Sequence, residues 1–524
     1  DTTAFSDTIS ADSITLTAAE GAGDATTDDM SIEANVELDV SGGASNTITL
    51  NVADDLVIDA TARLEGGAGI GTFLINLDTV LPADNDVTGS TATISPDLRD
   101  GSLTVTGGAD ADTIDLRGAS RSSSTNGNIL VNAGGGDDLI NGSTLDGGDA
   151  MDDTINSEGG DDTIEAEAGD DVIDGGADDD LIIWRDDGGD FDNDDGDDTV
   201  TGGANGGNTS RQFPFEPIDL TQPGGAREGD TFQVFTNDDI SEPAGVRDIG
   251  ETVTGGPGGN EFRVQRAVDP DATVLWRRVT LDVEMIEHLF IDTGDAADTV
   301  DLNNLSGLDL VNVDVFGGDD EDRLDARDAV LGVVLRGGND DDTILGGVGN
   351  DTVEGDAGHD LLDALTGDDL LYEDFDNESP SATSVSTLFT NTQMFTTFTG
   401  GPASSDQDNH VNFEQVSLLG TGGPDLFRAI NLDGNARVFN PVLSNSPYVT
   451  TLADGTVRIV LDDVTIAGGL GDDMFEVAPA QQVDITVEGD PATTTNNDTL
   501  LLDVLQTINP VTAPGTVLPA IPVE

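Results

Sequence analysis

The chain of 524 residues contains no cysteine and no lysine; all 18 of its basic residues are arginine. The first absence excludes disulfide scaffolds, thiolate metal sites and cysteine nucleophiles, and suits an exported protein stabilised by metal. The second leaves no basic patch on which phosphates could sit, so neither nucleic acid nor an anionic membrane surface is an expected partner. No apolar run approaches the roughly 18 residues that a membrane-spanning helix needs, so membrane insertion is not expected. Aromatic residues are few, with two Trp and two Tyr, and the three histidines (His288, His359, His410) form no close pair. There is no H-E-x-x-H and no G-x-S-x-G. The chain opens at Asp1 without methionine or a signal-like segment, which suggests processing or excision from a longer precursor.

Acid is abundant: 105 Asp plus Glu give a formal net charge of -87. Repulsion on that scale opposes compaction. Bound divalent cations or a very salty medium can neutralise it, and composition alone does not separate the two.

The register of the acids is more informative than their number. Gly337–Tyr372 reads GGNDDDTIL, GGVGNDTVE, GDAGHDLLD, ALTGDDLLY, with Asp342, Asp351, Asp360 and Asp369 nine residues apart and an apolar residue two places after each. Gly148–Ile183 repeats the pattern with Asp153, Asp162, Asp171 and Asp180, and carries fourteen acidic and no basic residues. Nine is not a helical period. Glycine supplies positive φ and aspartate bonds its own backbone, so each unit reads as a turn followed by a short strand. One unit cannot bury its Ile or Val alone, so units must coil and stack. Stacking brings like carboxylates together, which is unfavourable unless a cation lies between them. Carboxylates and exposed turn carbonyls are oxygen ligands of the kind that hard Ca²⁺ accepts in numbers of six to eight.

GGVGNDTVE and GGLGDDMFE (Gly468–Glu476) resemble the G-G-x-G-x-D-x-U-x nonapeptide of RTX, or haemolysin-type, calcium-binding repeats. The resemblance implies a parallel β-roll with two nonapeptides per turn, and several calcium ions held between turns by the sixth-position Asp and by loop carbonyls. Carried onto this chain, it implicates Asp153, Asp162, Asp171, Asp180, Asp342, Asp351, Asp360, Asp369 and Asp473. The same slot in flanking turns adds Asp138, Asp198 and Asp322. Two units depart from the pattern: Asp340 stands in the fourth-position glycine slot, and ALTGDDLLY lacks the opening glycine pair.

The expected fold is all-β: an elongated parallel β-roll or β-helix solenoid with calcium turns and β insertions. Residues 1–106 alternate apolar and polar side chains with period two and resemble the β-helix rungs of large secreted bacterial exoproteins, a sandwich being the alternative. Residues 107–203 hold the first repeat block, 204–290 a β insertion, 291–372 the second block and 373–418 a Ser/Thr-rich interruption. Residues 419–509 read as further rungs and 510–524 as a proline-rich tail, a linker or a strand lent to a neighbour. Glu284–Leu302 and Glu414–Leu432 resemble one another and suggest an internal duplication. The acidic run Asp186–Gly196 invites an EF-hand reading, but its glycine falls one place late and the closing Glu is missing. Trp276 beside two arginines reads either as a carbohydrate platform or as a core or interface residue.

These features favour a secreted or cell-surface calcium-binding structural protein that assembles with itself through its chain ends into a filament, surface layer or matrix. Two alternatives stand beside it. One is a calcium-dependent adhesin that binds a cell-surface glycan or a protein. The other is a secreted polysaccharide-active enzyme.

Overall fold

In the computed structural model the described residues are 7–18, 29–42, 45–67, 71–77, 89–121, 128–144, 151–186, 198–204, 230–236, 251–255, 261–266, 280–294, 297–303, 305–306, 310–375, 384–389, 393–399, 405–413, 415–421, 425–429 and short strands between 449 and 522. Trp276, Phe213, Phe215, Asp187–Gly196 and Pro510–Ala520 lie outside them.

The N-terminal part coils through three parallel sheets. Asp7–Ser10, Val36–Asp39, Arg63–Glu65, Asp97–Arg99 and Ser120–Arg121 stack as the first sheet. Ser13–Ala18, Thr47–Val52, Gly71–Asn76, Gly101–Thr106 and Ile129–Gly135 begin the second. Met30–Ile32, Leu56–Ile58, Thr91–Ile94, Thr113–Asp115 and Leu139–Ser143 begin the third. In-register parallel pairing of this kind belongs to a β-helix; a sandwich would pair its strands antiparallel. Period-two alternation puts Ile48, Leu50, Phe73, Ile75, Leu103 and Val105 inside, each at most 1 % exposed.

Among the described residues the first sheet ends at Arg121, and from Asp153 the coil has two sides. Asp153–Gly159, Val172–Ala177 and Thr199–Ala204 continue the second sheet, while Thr163–Glu167, Leu181–Asp186 and Thr231–Thr236 continue the third. Ser143 already bonds into the segment at Asp153, only 10 residues on, whereas complete coils here are separated by 18. A nonapeptide is long enough for one turn and one strand, so two make a coil. The residue two places after each Asp points inward, as Ile155, Ile164, Ile182, Ile344, Val353, Leu362 and Leu371 all do at 0 % exposure. Burying each aliphatic side chain stabilises the stack by about 1.5 to 3 kcal/mol.

Two antiparallel meanders interrupt the second sheet. Thr199–Ala204 pairs with Thr280–Glu284, which runs through Glu261–Arg266 to Glu251–Gly255 before parallel pairing resumes at Thr299–Asn303. Leu361–Asp363 likewise pairs with Ser405–Val411, then Gln393–Thr399 and Ser384–Phe389, before Leu426–Ala429. The third sheet takes no such detour: His288–Asp292 pairs directly with Asn312–Gly318, and Gln415–Leu419 with Asp463–Ala467. The segments that resemble each other in sequence therefore stand at the same place in two copies of one arrangement. At the C-terminal end Ile521–Pro522 pairs antiparallel with Thr499–Leu502 of the same chain.

Candidate metal centre

Each sixth-position aspartate sits at the end of a Gly-rich turn, immediately before a strand, and its backbone N–H donates to Oδ1 of the equivalent aspartate one coil further on. On the edge leading into the third sheet the series runs Ser90 to Asp112 (2.6 Å), Asp112 to Asp138 (2.6 Å), Asp138 to Asp162 (2.8 Å), Asp162 to Asp180 (3.0 Å) and Asp180 to Asp230 (2.9 Å), and closes on Glu287 (3.1 Å). On the edge leading into the second sheet Asp153 bonds Asp171 (2.7 Å) and Asp171 bonds Asp198 (2.8 Å). In the second block Asp298, Asp322, Asp342, Asp360 and Asp408 form one column, with bonds of 2.8, 2.8, 2.7 and 3.1 Å. Val333, Asp351 and Asp369 form the other, at 3.0 and 2.9 Å. A last series joins Asp425, Asp473 and Asp498 at 2.8 and 3.0 Å.

A return bond locks each step. Thr163 N–H donates to the Asp138 carbonyl at 2.8 Å, and Leu361 N–H to that of Asp342 at 2.8 Å. Successive coils are thereby clamped from both the amide and the carbonyl of one residue.

Along the ladder one oxygen of the carboxylate accepts the amide; the other faces the turn, where at Asp112, Asp351 and Asp425 it accepts a turn N–H from Gly108, Gly347 and Thr421. Oδ2 of Asp138, Asp171, Asp180, Asp230, Asp322 and Asp342 is buried with no hydrogen-bond donor. Buried polar atoms are ordinarily paired, so a recurring orphan at one repeat position points to a missing electropositive partner. Where a unit opens with glycine, that glycine makes room for this oxygen. A Cβ on Gly355 would stand 2.7 Å from Asp360 Oδ2, and one on Gly175 2.5 Å from Asp180 Oδ2. At many second and fourth positions the backbone is left-handed, and not only at glycine: Gly176 (φ 103) and Gly338 (φ 118), but also Glu158 (φ 77), Asp340 (φ 74), Asp356 (φ 61) and Leu365 (φ 67). The two departures from the repeat pattern thus keep its geometry, and Asp342 and Asp369 stay in the ladder.

Burial raises these carboxyls: Asp138 to about 8, Asp180 and Asp342 to about 9, and Asp230 and Asp322 to about 7. Asp171 rises to about 10, through burial first and the Asp198 carboxylate second. Described arginines pair with carboxylates outside the columns instead: Arg63 with Asp97, Arg117 with Asp115, Arg327 with Asp325, and Arg185, just past the first block, with Glu165 at 2.6 Å.

Among the described residues no three Asp, Glu or His side chains converge on one point. An ion held here would take one or two carboxylates and complete its shell with turn carbonyls or water, a donor set that fits Ca²⁺, with its flexible coordination, better than Mg²⁺ or Zn²⁺. A family model for the RTX calcium-binding nonapeptide repeat matches residues 147–182 and 336–371, in four copies. The chain carries RTX repeats. RTX nonapeptides bind calcium, and their β-roll is the fold seen here. Comparison with curated proteins gave no match.

All twelve aspartates singled out in the sequence stand in the columns, and the ladder extends past both matched RTX stretches. Asp112, Asp230, Asp298, Asp408, Asp425, Asp498 and Glu287 also belong to it, and sequence reasoning missed them as candidates. For five of them a signal was present: an Asp followed by Thr or Leu and then an apolar residue, as in Asp112-Thr113-Ile114 and Asp230-Thr231-Phe232. Fifth-position residues form a second ladder in the opposite sense, with Asp161 N–H on Asp137 (3.0 Å), Asp179 on Asp161 (3.1 Å) and His359 on Asp341 (3.0 Å). The three histidines lie on separate elements. His288 is on a third-sheet strand, His359 in an exposed turn, and His410 fills a core slot stacked 4.8 Å from Phe389.

Proposed function

We propose that the chain is an extracellular structural protein, a β-solenoid that calcium rigidifies and that assembles end to end into a filament, surface layer or matrix. The observation that carries this reading is the pair of carboxylate columns along both edges of the coil. Each has buried oxygens facing the Gly-rich turns, and calcium bound there by the twelve aspartates, with Asp112, Asp230, Asp298, Asp408, Asp425 and Asp498, would join turn to turn. Such a construction makes a stiff rod and uses acidic residues for cohesion rather than for proton transfer. The end of the coil supports assembly as well. A short antiparallel strand, Ile521–Pro522, already pairs with the last rung, and the same pairing made between copies would link ends.

Electron microscopy of purified protein in millimolar calcium tests this. Filaments or sheets that disperse on chelation are the expected result. Monodisperse particles in calcium would overturn the assembly reading, and turnover of a polysaccharide would overturn the non-enzymatic one.

A further inference from the structure

The outer face of the second sheet lacks charge over its first five rungs and over the sixth as far as Asn156. Its outward residues are Ser13, Thr15 and Thr17, then Thr47, Thr49 and Asn51, then Thr72, Leu74 and Asn76, then Ser102, Thr104 and Thr106, then Leu130 and Asn132, and Thr154 and Asn156. In a chain with 105 acidic residues this is an outlier. The neighbouring first sheet presents Glu37, Asp39, Arg63, Glu65, Asp97 and Arg99 on its outer side. Along the second sheet the first exposed carboxylate is Glu158, near the end of the sixth strand, followed by Asp174 on the seventh.

In-register pairing makes the face regular. Thr15 aligns with Thr49, and Asn51 with Asn76, Thr106, Asn132 and Asn156 in turn. The amides bond along the stack, Asn76 Nδ2 to Asn51 Oδ1 at 2.8 Å and Asn156 Nδ2 to Asn132 Oδ1 at 2.9 Å. Their polar demand is largely met inside the sheet, which lowers the cost of covering them.

We propose that this face is a lateral interface between two copies of the chain, packed sheet against sheet. The argument is electrostatic. Two copies with a net charge of -87 each repel through acidic surfaces and can approach closely where neither carries charge. Six rungs at about 4.8 Å spacing, three outward rows wide on the first four and two on the last two, cover on the order of 500 Å² per copy, or roughly 1,000 Å² in all, the lower bound for a specific interface. The absence of aromatic side chains from this face disfavours a sugar as its occupant, because no ring is offered for stacking. This inference deepens the assembly reading but rests on a different surface from the chain ends.

The cysteine-free background makes the test clean. Thr49→Cys, Thr104→Cys and, as a control on the first sheet, Thr8→Cys are each treated in calcium with a thiol cross-linker spanning about 10 Å, the separation of packed sheets. Covalent dimers are expected from the first two, at least tenfold above the control, and adding Thr104→Asp to Thr49→Cys should abolish them while circular dichroism stays unchanged. Equal yields at all three positions, or none at Thr49 and Thr104, would overturn the proposal. Microscopy of the same samples separates the two readings: filaments without these cross-links sink the lateral interface alone, and cross-links without filaments sink end-to-end assembly alone.

Discussion

The backbone N–H of Asp322 donates to Oδ1 of Asp342, 20 residues on, at 2.8 Å, while Oδ2 of Asp342 is buried without a donor. One carboxylate thus has a structural half, which ties two coils together, and an electrostatic half, which asks for a cation. Separating the halves is the most direct probe of the site.

Asp342→Asn keeps an acceptor for the Asp322 amide and removes the charge. It should lower calcium stoichiometry by titration calorimetry, yet melt at or above the parent temperature in chelator. Asp342→Ala loses both halves and should cost about 1 to 3 kcal/mol with or without calcium. If Asn and Ala behave alike in chelator, the ladder bond contributes nothing.

Calcium-free protein should be most stable in acid. Asp138, Asp180, Asp322 and Asp342 have carboxyls raised to about 8, 9, 7 and 9, so folding favours their protonated form. Their contribution is complete below the ordinary carboxylate value near 3.8 and is lost as pH rises through 7 to 9. Calcium displaces those protons, so its affinity should climb across the same window. Melting curves from pH 4 to 9, with and without calcium, should therefore diverge with rising pH; parallel curves would refute the linkage.

Gly355→Ala places a methyl group 2.7 Å from Asp360 Oδ2, whereas at Gly159 the nearest atom to an added Cβ is 3.8 Å away. The first change should destabilise the fold by about 1 to 3 kcal/mol and weaken calcium binding. Gly159→Ala should leave both within about 0.5 kcal/mol. Denaturant titration in calcium distinguishes them.

Asp340 holds φ 74 at a fourth position. Asp340→Gly should be neutral to stabilising by up to about 1 kcal/mol, because glycine reaches that region without steric cost. Asp340→Val should destabilise by more than that, since a branched side chain resists it. Equal stability of the two variants would show that the turn relaxes.

The repeat made much of this legible in advance. Asp342, Asp351, Asp360 and Asp369 at spacing nine, each with an apolar residue two places on, point to a turn, a strand and a stack, because a unit with one aliphatic side chain per nine residues buries it only against its neighbours. Period-two alternation in Thr47–Val52 likewise determined strand and face. The columns as a whole were less visible. Asp180 bonds Asp230 across 50 residues and Asp360 bonds Asp408 across 48, so the ladder steps over insertions that erase the period while the register of the coil survives. Tertiary structure alone decided that three sheets become two at Ser143, that both meanders enter the second sheet and spare the third, and that the uncharged residues of six distant strands share one face. The physical reason is the same in each case. A nine-residue pattern reports what each unit must bury locally, whereas which coil lies above which is settled by backbone pairing between residues that sequence spacing does not connect.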